Sequence, residues 1–173
     1  MVSNKRYAIA YQELNTGIHL FKFNIDKRFF SMFESSEISD GKCEVSIELE
    51  KSNNSLTLDV EIVGDVKVVC DRCLDEFLLP MSYSGELIVK VVSGVTSGEY
   101  EINENEISED DFNSDVMWQN SDEDTLDLSQ YIYESICLGL PFQKVHPADE
   151  RGILMCNEDM LSRFSANDME DEY

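Results

Sequence analysis

The chain has 173 residues, enough for one hydrophobic core, and its 36 acidic residues against 13 lysines and arginines give a net charge of −23. Such a surface repels a phosphate backbone at long range, which argues against a broad electrostatic footprint for nucleic acid and favours a basic partner. No stretch approaches the ~18 apolar residues of a membrane-spanning helix and the first residues lack the apolar run of a signal peptide, so we expect a cytoplasmic protein without membrane contact.

The first half of the chain predicts an antiparallel β-meander that contains a short helix near its start. Gly17–Ile25 alternate in polarity as a strand does, and Asp26 can cap a short helix over the phenylalanines that follow. Two alternating segments separated by "KSNNS" predict a β-hairpin. The alternation then continues through Val69 and, with a break near Pro80, to Val92.

The segment 94–124 differs in composition from its neighbours. It is rich in glycine, serine, asparagine and acids, and no lysine or arginine occurs between Val91 and Gln143. This composition predicts an acidic, solvated loop that is partly ordered at best.

The segment "DLSQYIYESICLGLPF" predicts one amphipathic helix that packs on the sheet. Asp127 can cap its start, and Gly139 and Pro141 can end it. Its apolar residues recur at four-residue steps: Leu128, Ile132, Ile136 and Leu140. We therefore expect an α+β fold in which residues 1–156 form a single domain and residues 157–173 form an acidic, disordered tail.

The five cysteines contain one pair with the spacing of a metal knuckle. An odd number of cysteines without a secretory signal argues against a disulfide framework. Cys70 and Cys73 form a C-x-x-C turn, which supplies two of the four ligands that a structural zinc needs. His146 and Cys156 flank a polar loop after the predicted helix, and this loop could fold back on the knuckle. We hypothesise that these four residues bind one structural zinc.

Other interpretations of the cysteines remain open. Cys43 and Cys137 are expected to be ordinary buried cysteines. The gap between His146 and Cys156 fits no finger template, so a surface histidine and a core cysteine are an alternative. A redox pair is less favoured, because the residues after Cys73 are β-like and carry a proline rather than starting a helix. No nucleotide-binding, serine-hydrolase or zinc-protease motif is present, and we expect no enzymatic activity.

A local basic and aromatic surface offers a second functional hypothesis, direct binding to RNA. Stacking on unpaired bases with a few phosphate contacts could overcome the unfavourable global charge. The candidate contacts are Lys22, Phe23, Lys27, Arg28, Phe29 and Arg72.

The order of these parts resembles the bacterial YceD family, described as the large ribosomal RNA subunit accumulation protein. The resemblance spans about Phe21 to Cys156 and rests on "CDRCLDEF" and on the helix that ends in "LGLP". The positions that match the family pattern are Cys70, Arg72, Cys73, Asp127, Leu128, Glu134, Leu140, Pro141, His146 and Cys156.

The resemblance implies a role in ribosome biogenesis, in the accumulation of 23S large-subunit ribosomal RNA. A protein with this charge would act by binding a basic ribosomal protein or the assembling large subunit. A common form of the family has a second C-x-x-C after the helix, which would complete a four-cysteine site. In this chain His146 and Cys156 stand in its place.

Overall fold

The structure, a computed structural model, describes residues 5–34, 36–93 and 115–167. Two short 3-10 turns, Lys5–Tyr7 and Tyr11–Glu13, flank the first strand. In chain order the strands and helices are β1 (Ala8–Ile9), β2 (Gly17–Ile25), α1 (Lys27–Phe30), β3 (Asp40–Lys51), β4 (Ser55–Val69), β5 (Glu76–Val92), β6 (Asp115–Asn120), β7 (Leu126–Asp127), α2 (Ser129–Leu138) and α3 (Glu158–Asn167). The predicted α+β fold class is confirmed.

A five-stranded sheet with the order β2-β3-β4-β5-β6 forms the body of the protein. The strands from β2 to β5 are antiparallel neighbours in chain order. β6 instead pairs parallel with β5, and β1 and β7 form a separate two-stranded ribbon. β6 lies in the segment 94–124 that was predicted to be an acidic loop; residues 94–114 of that segment lie outside the described residues.

Apolar and polar residues alternate along the long strands, so the sheet has one buried face and one exposed face. The buried face continues into one core that also contains Phe29 and Phe30 of α1 and Ile132 and Ile136 of α2. Its central side chains are Val45, Ile47, Leu49, Leu56, Leu58, Val60 and Ile62. The exposed face, called the outer face below, carries on β3 and β4 the acids Glu44, Glu48, Glu50, Asp59, Glu61 and Asp65.

Both predicted helices form, and their ends follow the sequence signals. The Asp26 carboxylate accepts the Arg28 N–H at 3.0 Å and starts α1. At α2, Asp127 accepts the Ser129 N–H at 2.9 Å, although Leu128 occupies the cap position itself. Gly139 ends α2 where a Cβ would lie 3.0 Å from the backbone oxygen of Ser82 on β5, so the glycine allows the helix end to approach the sheet.

The helix α3 was not predicted. It covers Glu158–Asn167, within the tail 157–173, and residues 168–173 lie outside the described residues. Its Met160 and Leu161 pack against the cluster of Cys70, Cys73 and Cys156. Over the described part of the chain, no helix is long and apolar enough to cross a membrane.

Candidate metal centre

The four predicted ligands converge in space. The sulfurs of Cys70, Cys73 and Cys156 and a ring nitrogen of His146 all lie within 4.8 Å of one another. Cys70 Sγ is 3.9 Å from Cys156 Sγ, and Cys73 Sγ is 3.5 Å from His146 Nδ1. Sulfurs bound tetrahedrally to one zinc at about 2.3 Å lie roughly 3.8 Å apart, so the cluster fits a zinc after shifts of no more than about 1 Å.

The knuckle is the tight connection between β4 and β5. Its turn is closed by hydrogen bonds from Cys70 N–H to Asp75 O at 2.9 Å and from Leu74 N–H to Cys70 O at 3.0 Å. Leu74 has φ 62°, a left-handed conformation that is unfavourable for a residue with a Cβ atom. The Arg72 N–H points at Cys70 Sγ from 3.5 Å. The turn therefore holds both sulfurs on the same side of the chain.

Two aspartates of the knuckle hold the distant loop in place. Asp71 N–H donates to Lys144 O at 2.7 Å, and Asp71 Oδ2 accepts the Lys144 N–H at 2.6 Å. Asn157 Nδ2 donates to Asp75 Oδ2 at 2.7 Å. One contact lies just before His146 and the other just after Cys156, so both later ligands are fixed relative to the knuckle. Nothing in the spacing of the sequence singled out these partners.

The cluster is closed to solvent on most sides. Cys70 and Cys73 are fully buried, Cys156 is 8% exposed, and His146 is half-buried. The ring of Phe77 lies 4.4 Å from the imidazole of His146 between centroids. The remaining apolar neighbours are Val145, Leu154, Met160 and Leu161. Four protein ligands in an enclosed pocket leave no position for a substrate, which is the arrangement of a structural metal site.

The protonation of the thiols also depends on this packing. Burial disfavours the Cys70 thiolate, but N–H groups of Cys73 and Arg72, together with His146, outweigh burial and lower the pKa of Cys70 to about 6. Burial, and next the sulfurs of Cys70 and Cys73, raise the pKa of Cys156. The packing thus favours the thiolate of Cys70 and disfavours that of Cys156. A divalent cation among the sulfurs would stabilise both thiolates together.

The two other cysteines lie outside the cluster. Cys43 is buried on β3, as expected. Cys137 was predicted to be buried, and this is wrong: its position on α2 is exposed. Ile136 faces the core. Cys137 follows it directly and is rotated by about 100° around the helix axis, so it faces away from the core.

The remaining family-motif positions surround α2 and the knuckle. Leu128 is fully buried, while Leu140 is half-buried against the core. Glu134 is exposed and accepts a hydrogen bond from Gln130 Nε2 at 2.6 Å. Pro141, Asp127 and Arg72 are also exposed. The residues from Asp127 to Pro141 lie in α2 or beside its ends, away from the cluster. Arg72 instead lies in the knuckle, where its backbone N–H contacts Cys70 Sγ.

The structure removes part of the candidate RNA surface. Phe29 is fully buried, with its ring 4.9 Å from that of Tyr7, so in this fold it cannot stack on a base. Phe23 is half-buried against the core. Lys22 is bound to Glu44 at 3.0 Å. Lys27 and Arg28 are exposed on α1.

One comparison with known proteins bears on this chain. A protein-family model described as "Large ribosomal RNA subunit accumulation protein YceD" matches residues 58–172. The match begins within β4 and contains the whole cysteine–histidine cluster. The resemblance described above spans about Phe21 to Cys156. The match starts later and ends later than these bounds, and it therefore includes α3. No significant match was found among curated proteins or among solved structures.

Proposed function

Because the chain belongs to the family of the large ribosomal RNA subunit accumulation protein YceD, we propose that it is a cytoplasmic, non-enzymatic ribosome-assembly factor. In this proposal it supports accumulation of 23S ribosomal RNA by binding a basic ribosomal protein or the assembling large subunit. The observation that carries the mode of binding is the charge of the outer face.

The outer face places carboxylates directly opposite one another. In the register of the sheet Glu48 pairs with Asp59, and Asp59 pairs with Glu86, so three acids cross β3, β4 and β5 in one row. Like charges directly opposite destabilise a sheet. A basic partner would offset this repulsion, and the negative field would accelerate its encounter with the protein.

Direct binding to RNA is a second candidate. It is favoured by the exposed side chains of Lys27 and Arg28, which could contact phosphates. It has weaker support, because Phe29 is buried and Lys22 is already paired with Glu44. A C-x-x-C redox function has less support still, since the pair is enclosed with two further ligands.

We further propose that the cluster of Cys70, Cys73, His146 and Cys156 binds one structural zinc. The donor set, the distances and the enclosure support this assignment. The ion would supply folding free energy by joining the β4–β5 knuckle to the loop that follows α2.

Affinity recovery from bacterial lysate at low and high ionic strength tests the proposed function. We expect identified large-subunit proteins and 23S ribosomal RNA to be recovered at low salt and lost at high salt. A Glu48→Gln, Asp59→Asn variant should recover less. A Glu13→Gln, Glu150→Gln variant, which has the same change of charge at exposed positions outside the sheet, should behave as the wild type. Equal recovery at both salt concentrations would contradict electrostatic binding, and absence of all large-subunit components would contradict the function.

A further inference from the structure

β2 is the first strand in the order of the large sheet and therefore an edge strand. All nine residues of β2, Gly17–Ile25, pair with β3 in one continuous register. No strand pairs with the other side of β2 among the described residues. Every second residue of such a strand directs its N–H and C=O away from the sheet, where another strand could pair with them.

Apolar side chains lie on both faces of this edge. On the outer face Ile18 is 63% and Leu20 is 74% exposed. On the inner face Phe21 and Phe23 are only half-buried, although they pack against the core. A strand added beside β2 would cover both pairs, and covering apolar area is favourable by about 25 cal/mol per Å².

β2 lacks most of the devices that protect an edge strand. It contains no proline, and its nine pairs run without a bulge. Natural edges are commonly blocked by a proline, a bulge or a lysine. Lys22 is the one lysine or arginine of the strand, and its ammonium group forms an exposed ion pair with Glu44 at 3.0 Å. The half of β2 near Gly17 is therefore apolar on the outer face, at Ile18 and Leu20, and no described strand pairs with its free edge.

The charge beside the open edge selects the class of partner. Glu50 lies directly opposite Ile18, and Glu48 lies directly opposite Leu20. Adjacent strands are about 4.8 Å apart, so long lysine or arginine side chains on an added strand could reach across β2 to these carboxylates. A second copy of this chain would bring another net charge of −23 to the same place. Charge complementarity thus favours a basic segment over self-association.

We propose that β2 binds an extended, basic segment of a protein partner by strand addition. The segment alternates apolar residues, which cover Phe21 and Phe23, with lysine or arginine residues, which lie over Leu20 and face Glu48. This inference rests on the proposed function, because it specifies how a basic partner is held. The acidic outer face attracts the segment, and hydrogen bonds to the backbone of β2 set its register.

Amide hydrogen exchange with a synthetic probe tests strand addition directly. The probe is a peptide of alternating valine and lysine, as long as β2; the control peptide alternates valine and glutamate. We expect the lysine peptide to bind and to slow exchange at every second amide of β2, by at least about tenfold at saturation. The glutamate peptide should not bind. Protection at β6 in place of β2, binding without protection of β2, or formation of a dimer through β2 would each overturn the inference.

Two double variants distinguish binding at the β2 edge from attraction by the charge of the outer face. Ile18→Lys, Leu20→Lys places lysines on the open edge, and we expect at least a tenfold weaker affinity for the lysine peptide. Val63→Lys, Leu78→Lys makes the same change of charge at comparably exposed positions of the outer face, on β4 and β5. This control variant should lose less affinity for the lysine peptide than the Ile18→Lys, Leu20→Lys variant. Equal losses in both variants would mean that charge alone binds the peptide, and strand addition would be wrong.

The same variants distinguish failure of the inference from failure of the proposed function. If wild-type protein recovers large-subunit components and the Ile18→Lys, Leu20→Lys variant recovers them equally, the function stands and β2 is not the binding edge. If the wild type recovers none of these components but the lysine peptide protects β2, the docking edge stands without the ribosomal role.

Discussion

At the scale of single residues, Asp71 and Asp75 connect the two halves of the candidate metal centre. Each lies inside the β4–β5 turn, and each binds a residue close to a candidate ligand from the distant loop: Lys144, two residues before His146, and Asn157, one residue after Cys156. Both hydrogen bonds are exposed to solvent, so each contributes about 0.5–1.5 kcal/mol, the range of a typical protein hydrogen bond. The turn therefore orients the four candidate ligands relative to one another.

Loss of the knuckle thiols should remove the metal. We expect wild-type protein purified without chelator to contain about one zinc per chain. Cys70→Ser, Cys73→Ser should contain none and should melt about 10 °C lower, because the binding free energy of such a site is folding free energy. Elemental analysis and thermal unfolding measure both effects.

The exposed cysteine of α2 supplies the control for that experiment. Cys137→Ser changes a thiol outside the cluster and should keep both the zinc and the melting temperature. A wild-type protein without metal, or a double variant that melts with the wild type, would contradict the zinc assignment.

The left-handed conformation of Leu74 predicts an unusual effect of glycine. Leu74→Gly should raise the free energy of unfolding by about 1 kcal/mol, because only glycine adopts φ 62° without a steric cost. Leu78→Gly, at an exposed position of similar accessibility in the extended strand β5, should lower it by about 1 kcal/mol. Urea unfolding of the two variants compares them, and a loss of stability in both would refute strain at Leu74.

At the scale of elements, the third helix depends on the cysteine cluster. Met160 and Leu161 of α3 pack against Cys70, Cys73 and Cys156, and the helix begins two residues after Cys156. A ten-residue helix is too short to be stable alone in water. Its order must therefore come from contacts with the cluster.

Removal of the metal should accordingly release α3. We expect trypsin to cleave after Arg163, within α3, about tenfold faster after chelation, because cleavage requires local unfolding. Cleavage after Lys51, at the end of β3, should change less, since the hairpin of β3 and β4 lies in the main core. Equal acceleration at both sites would indicate global unfolding, and no acceleration at Arg163 would show that α3 does not depend on the metal.

The sequence predicts the elements whose periodicity arises from burial on one face. Apolar and polar residues alternate in β3 and β4, and apolar residues recur at four-residue steps in α2. Both patterns reflect packing against one core, and the predicted strands and helix are present. β6 was missed because it is short, lies within an acidic segment and pairs in parallel with β5 through a non-local contact. α3 was missed because the surface that stabilises it is made by residues far away in the chain. Phe29 was misjudged because sequence does not show which side of a short helix faces the core.

The four candidate metal ligands could be proposed from the sequence because it contains so few cysteines and histidines. What spacing could not show is how a loop more than seventy residues away returns to the knuckle. That return depends on the side chains of Asp71 and Asp75, which look like ordinary surface acids in the sequence. Their role follows only from three-dimensional contacts.

At the scale of the whole molecule, the two faces of the sheet have different proposed roles. The buried face and the candidate metal centre would hold the chain together, while the acidic outer face and the β2 edge would bind the partner. The family model covers the metal centre but begins at residue 58, after β2 and β3. The docking edge that we propose therefore lies in the part of the chain outside the family match.

Sedimentation of bacterial lysate through a sucrose gradient at low ionic strength tests the ribosomal role most directly. The account predicts that the protein migrates with particles that contain 23S ribosomal RNA and large-subunit proteins, and that it moves to the top of the gradient when salt is raised. A protein that stays at the top of the gradient at low salt, with intact large-subunit particles below it, would contradict that role.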